Sequence, residues 1–175
     1  RRQRQMCIRD SNYDLPNDTA YAETCASIGL VFFARRMLEI QAKAEYADVM
    51  ELALYNGVLS GMALDGKSFF YVNPLESKGD HHRQEWYGCA CCPSQLSRFL
   101  PSIGNYIYAS SDDALWVNLY IGNTGQIRIG ETDILLTQET DYPWDGSVKL
   151  TISTSQPLEK EIRLRIPDWC KTYDL

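Results

Sequence analysis

The sequence predicts an α-then-β chain, helical over residues 1–104 and an antiparallel β-sandwich over 105–175. Two observations carry this. Up to Gly104 the apolar residues recur mostly at near-helical spacing. Beyond Asn105 they fall into short alternating runs punctuated by Gly-Asn, Thr-Gly and Asp-Gly turns.

The first helix is expected from Thr19 to about Gln41, where Tyr21, Cys25, Ile28, Phe32, Phe33 and Leu38 share one face. Pro16-Asn17-Asp18 ends what precedes it and supplies a capping residue. A second helix runs from Ala44 to about Leu59, with Val49, Leu52, Ala53 and Val58 inward and Gly61 just past its end. Asp65-Gly66 is a tight turn, and Ser68–Val72 after it reads as a strand, a small hairpin between helices. Residues 73–90 are polar and irregular. Pro93 suits the first turn of a third helix ending near Gly104.

After Asn105 the strand candidates are Tyr106–Tyr108, Leu115–Tyr120, Gln126–Ile129, Asp133–Thr137, Ser147–Ser153 and Glu161–Ile166. Regular short spacing with turn residues between is the pattern of a sandwich. The last run stops a few residues before Leu175, and two or three helices with one apolar face each need partners. Both ends therefore read as cut, and the chain as the middle of a longer protein.

Composition bounds the function. The 175 residues are 45% hydrophobic and 23% charged, with a net charge of −6, which argues against nucleic acid or an anionic membrane as the main partner. No apolar run approaches the roughly 18 residues of a membrane span. The opening RRQRQMCIRD has no apolar stretch behind it and is not a secretory signal, which predicts a cytoplasmic location.

The cysteines are Cys7, Cys25, Cys89, Cys91, Cys92 and Cys170, three of them packed into EWYGCACCPSQ. A disulfide staple, a metal site and a reactive thiolate compete for that cluster. Disulfide frameworks suit short secreted scaffolds, and adjacent Cys91 and Cys92 hardly bridge each other without strain. Metal binding or catalysis is the better reading. Thiolates and a carboxylate suit zinc, and AETCAS offers Glu23 and Cys25. Against this, no second CxxC exists, and positions i and i+2 of a regular helix face different ways. Glu23 and Cys25 share a metal only if the helix starts there or is distorted.

Four stretches, YDLPNDTAYAETCASIGLVFFARRML, ELALYNGVLSG, KSFFYVNPLE and WYGCACCPSQLSRFLPSIGNYIYA, together with the later LRIPDW, resemble glycoside hydrolase family 127, the β-L-arabinofuranosidases. The resemblance covers nearly the whole chain from about Asn12. It implies the C-terminal part of an (α/α)6 barrel followed by the start of a β-sandwich. It implies zinc held by Glu23, Cys25, Cys91 and Cys92, with Cys91 as the nucleophile that attacks the anomeric carbon. Glu51 and Tyr71 would contact the sugar. The substrate would be an L-arabinofuranoside-containing carbohydrate, and the full-length parent would form a homodimer through its sandwich region.

Retaining glycosidases normally use two carboxyl groups. A thiolate replaces the nucleophile if it is deprotonated near neutral pH, which a neighbouring metal favours. The family's acid/base glutamate belongs to a Gly-Glu pair sixteen positions before the glutamate of ETC. That position here is Cys7, and no glutamate occurs in residues 1–22. The expectation is a glycosidase-derived chain that is inactive or nearly so by itself. The alternative is a non-catalytic module whose four ligands merely hold a helix start against a loop.

Plainer readings stand beside several of these residues. Cys25 alone is an ordinary buried thiol, Glu23 a first-turn acid, Glu51 a solvated helix residue and Tyr71 a core aromatic. His81-His82 reads as a solvated loop, and Cys7, Cys89 and Cys170 have no assigned role. Trp86, Trp116, Trp144 and Trp169 could stack on sugars, though Trp116 and Trp169 suit packing between sheets.

Overall fold

The structure is a computed structural model and describes residues 16–175. Among the described residues four α-helices and six strands follow in order: α1 (Thr24–Ile40), α2 (Ala44–Ala53), α3 (Cys91–Phe99), α4 (Gly104–Ile107), then β1 (Tyr108–Ser110), β2 (Ala114–Val117), β3 (Asn123–Ile129), β4 (Thr132–Thr140), β5 (Val148–Thr154) and β6 (Glu161–Leu164). Helices precede strands, as the change of period predicts. The chain forms two compact units. One holds the described residues up to Met37 with Val49–Pro101, and the other Leu38–Asp48 with Ser102–Leu175.

The first unit buries Ile28 and Val31 of α1, Met50 of α2, and Leu96 and Phe99 of α3, each at 1% exposure or less. Phe32 meets Phe99 edge-to-face at 5.8 Å. The inner face of α2 differs from the expected one. Met50, Leu54 and Val58 are buried, whereas Val49 and Leu52 are exposed. The stripe follows the i, i+4 spacing of positions 50, 54 and 58, and 49 and 52 fall off it. The second helix also does not stay α: Leu54–Val58 is a π-turn and Leu59–Gly61 a 3₁₀ turn. The Asn73 amide donates to Gly57 O in that wider stretch, at 3.2 Å.

Two expected elements are replaced by isolated pairings. The first helix begins at Thr24 rather than Thr19, because Glu23 is extended and bridges Val72. Ser68–Val72 forms no continuous strand. Phe69 bridges both Met62 and Gln84, and Val72 bridges Glu23. The third helix begins at Cys91, two residues before Pro93, which leaves the proline in the first turn where its missing N–H costs nothing.

The second unit holds two three-stranded sheets, ordered β1-β2-β6 and β3-β4-β5. The β3–β4 hairpin turns through Gly130 and Glu131, and Gly130 takes the φ of +57° that such a turn needs. Leu115, Ile129, Ile134 and Leu136 form one buried cluster, with Tyr108 and Ile162 packed against it, so both sheets share a core. One pairing departs from the antiparallel expectation: β2 and β6 run parallel. After β5 the chain returns to the starting end of β2, where Glu161 N–H donates to Asp113 O at 3.0 Å. Tyr106–Tyr108, expected as a strand, is helical through Ile107 and extended only from Tyr108.

Arg165 of LRIPDW is buried in this unit. It pairs with Asp48 at 2.6 Å and donates from Nε to Asn118 O at 2.6 Å. Its backbone carbonyl accepts from the Tyr120 hydroxyl. Trp116 lies half-buried with the Arg163 guanidinium 5.0 Å from its ring centre. Trp169, expected between sheets, is 60% exposed and stacks on Tyr142.

Candidate metal centre

The start of α1 places two of the implied ligands. Glu23 ends an extended stretch: Ala22 O accepts from Asn73 N–H at 2.7 Å, and Thr24 N–H donates to Tyr71 O at 3.1 Å. The helix then begins, with Ala26 and Ser27 N–H donating back to Glu23 O. Glu23 is thus outside the helix and Cys25 in its first turn. That answers the geometric objection to an i, i+2 ligand pair, because the backbone changes conformation between them.

The other two ligands come from the start of α3. Cys91 and Cys92 are its first two residues, following Ala90. A helix N-terminus carries partial positive charge and favours a thiolate over a thiol. Contiguous cysteines therefore serve here as neighbouring side chains at one helix end.

The four groups converge. The Cys25 thiol donates to Cys92 Sγ at 3.3 Å, and the Cys91 thiol to Glu23 Oε1 at 3.5 Å. Cys91 and Cys92 sulfurs lie 3.9 Å apart, and Cys92 Sγ is 4.0 Å from Glu23 Oε1. One donor atom from each residue lies within 4.8 Å of all the others. Four ligands at the zinc–sulfur length of about 2.3 Å span tetrahedral edges of about 3.8 Å. The observed sulfur separations of 3.3 and 3.9 Å bracket that edge. The donor set and its spacing fit zinc.

Without a cation, Cys25 and Cys92 resist ionisation at this distance. Burial, followed by its hydrogen bonds with Cys92 and Cys91, pushes the Cys25 thiol well above its ordinary range. Burial pushes Cys92 up to about 11, with the Cys25 hydrogen bond pulling the other way. Cys91 beside them discourages both Cys25 and Cys92 from losing a proton, an effect that a divalent cation reverses.

Tyr71 borders the cluster. Its hydroxyl donates to Cys91 Sγ, and that contact, more than burial, raises its pKa. Glu51 is 6% exposed on α2, which removes the solvated-helix reading. It stands outside the four-residue cluster. Cys89 is an exposed free thiol. His81 is exposed yet held, with Nε2 2.7 Å from Val72 O and its ring stacked on Phe70 at 4.9 Å. Cys7, the position of the expected acid, lies outside the described residues.

Sequence reasoning missed two residues that bond the backbone beside this cluster. The Tyr87 hydroxyl donates to Phe69 O at 2.7 Å and accepts from Tyr71 N–H at 3.1 Å, and its ring meets Tyr71 at 5.5 Å. Thr24 is fully buried and donates from Oγ1 to Phe70 O at 2.9 Å. Their only sequence signal was adjacency to WYGC and ETC.

Comparison with known proteins finds relatives that cover most of this chain. Residues 10–105 match the family model of the β-L-arabinofuranosidase GH127 catalytic domain, and residues 114–175 that of the GH127 middle domain. The chain is 42% identical over 176 aligned residues to a non-reducing end β-L-arabinofuranosidase of Bifidobacterium longum subsp. longum, covering 91% of this chain and 26% of that protein. It is similar in structure to a GH127 β-L-arabinofuranosidase from Geobacillus stearothermophilus T6, with 54% identity, a TM-score of 0.85, and coverage of 93% of this chain and 27% of that one. A second GH127 β-arabinofuranosidase structure matches with 49% identity and a TM-score of 0.85, covering 91% of this chain and 25% of that one. The chain spans about a quarter of the length of these relatives.

Proposed function

Because this chain belongs to the GH127 β-L-arabinofuranosidase family, we propose that it carries the nucleophile and metal half of a retaining β-L-arabinofuranosidase site. The observation that carries this reading is the convergence of Cys91 and Cys92, at one helix start, on Glu23 and Cys25, at another. Glu23, Cys25, Cys91 and Cys92 would hold zinc, which when bound supplies the positive charge that keeps these thiols ionised near neutral pH. Cys92 is fully buried and Cys91 only partly, so Cys91 is the sulfur open to a substrate.

In this reading Cys91 Sγ attacks the anomeric carbon of a β-L-arabinofuranoside. A carbon–sulfur bond forms as the bond to the leaving oxygen breaks. Water then displaces the sulfur, giving retention after two inversions. The Tyr71 hydroxyl, beside Cys91, holds that sulfur's direction, and Glu51 and Tyr71 would contact the sugar. The leaving oxygen needs a proton, and residues 1–22 contain no glutamate to give it. These 175 residues therefore turn over ordinary glycosides poorly or not at all.

The exposed apolar side chains Leu30 and Phe33 of α1 and Leu52 of α2 support the wider architecture. Such faces suit helices of an (α/α)6 barrel that pack on further helices, and the two sheets suit the start of a sandwich. The homodimer implied for the full-length parent belongs to the same proposal.

An activated substrate tests the chemistry. 2,4-Dinitrophenyl β-L-arabinofuranoside needs no proton on its leaving group, so zinc-loaded chain should release dinitrophenolate and carry a pentosyl mass on the Cys91 peptide. The methyl glycoside should remain intact. Release unaffected by Cys91→Ala would overturn Cys91 as nucleophile.

A further inference from the structure

We propose that Thr24 is the positioning residue of the metal centre, an inference that rests on the metal reading above. Thr24 sits between two ligands, Glu23 and Cys25, at the one residue where the backbone passes from extended to helical. Positions i and i+2 of a continuous helix point apart. Glu23 and Cys25 face one point because this change of conformation falls between them.

Three contacts hold Thr24 there. Its N–H donates to Tyr71 O at 3.1 Å, and its hydroxyl donates to Phe70 O at 2.9 Å. The third is steric. A Cβ on Gly61 would lie 2.7 Å from Thr24 Cγ2 and 2.8 Å from Oγ1, so the side chain fills space that only glycine leaves open. Thr24 is 0% exposed, so its hydroxyl is shielded from bulk solvent. The Tyr71 carbonyl that takes its N–H also lies 3.8 Å from Cys92 Sγ, which ties the α1 ligands to the α3 ligands through one peptide.

The hydroxyl is the separable part. Thr24→Val keeps the shape against Gly61 and removes the bond to Phe70 O, whereas Thr24→Ser keeps that bond. Groups that orient metal ligands typically contribute ten- to a hundredfold, on the order of 10–100, in metal affinity.

The test is a cobalt(II) titration of the purified chain and its Thr24→Val, Thr24→Ser and Gly61→Ala variants. It follows the thiolate-to-cobalt and d–d absorption bands, with the metal-free Tm measured in parallel. Thr24→Val should bind cobalt about tenfold or more weakly and with altered d–d bands. Thr24→Ser should restore both, and Gly61→Ala should resemble Thr24→Val. Unchanged affinity and bands in a folded Thr24→Val chain overturn the positioning role. So does affinity that follows Tm alike in both threonine variants, since that marks a purely structural residue. Failure of the unsubstituted folded chain to bind cobalt overturns the metal centre itself, and this role with it.

Discussion

Cys25 Sγ and Cys92 Sγ lie 3.3 Å apart although 67 positions separate them in the chain. Neither sulfur is on a flexible tip: one is in the first turn of α1 and the other, fully buried, in the first turn of α3. The two helix starts meet at their sulfurs.

This proximity predicts the outcome of oxidation. With zinc stripped, diamide should remove two hydrogens from Cys25 and Cys92 and join them. Zinc loading before treatment should suppress the reaction. Non-reducing peptide mapping reads the product, and a principal cross-link involving Cys89 or Cys170 would contradict the arrangement.

Alkylation separates the catalytic from the merely structural reading. In a Cys89→Ser background, which removes an exposed thiol, brief iodoacetamide on zinc-loaded chain should label Cys91 at least tenfold faster than Cys92. Mass spectrometry of the two sites decides this. Equal protection of both would favour a closed structural site.

Raised thiol pKa values give the metal-free chain a defined alkaline weakness. Cys92 shifts from 9.0 to about 11, so the folded state keeps its proton where the unfolded state has lost it. Stability should be at its plateau below about pH 9 and fall as pH rises through 11. Cys25, also shifted upward, adds to the same trend. Zinc binding has the opposite sign: it releases those protons and strengthens as pH rises. Urea denaturation against pH, with and without zinc, measures both.

In the Arg165–Asp48 pair the guanidinium is buried, at 3% exposure, and the carboxylate is partly buried, at 19%. Asp48→Ala should destabilise the chain by about 3 kcal/mol, because a buried charge loses its carboxylate. Asp48→Asn should cost less, since it retains an acceptor. Chemical denaturation midpoints test the order.

Much of the site was readable from residue type. Glu23, Cys25, Cys91 and Cys92 were named from ETC and CCP through a family resemblance, and the structure brings all four together. The geometry that permits it was not readable. Periodicity extended the first helix to Thr19, because Tyr21 fits the apolar stripe. The bridge between Glu23 and Val72 overrides that local preference, and it depends on a segment about fifty residues away. Tyr87 and Thr24 were missed for the same reason, since their roles lie in hydrogen bonds to distant backbone. On the β side, alternation located the strands of the β3-β4-β5 sheet closely. The parallel β2–β6 pairing was hidden, because alternation carries no information on strand direction.

Zinc content is the most direct test of the account. Natively purified chain should hold one zinc per molecule by elemental analysis, and a Cys91→Ser/Cys92→Ser variant should hold none while remaining folded by circular dichroism. Well-folded chain without zinc, and without affinity for it when zinc is added, would contradict the metal centre and leave four converging side chains with no ion to hold.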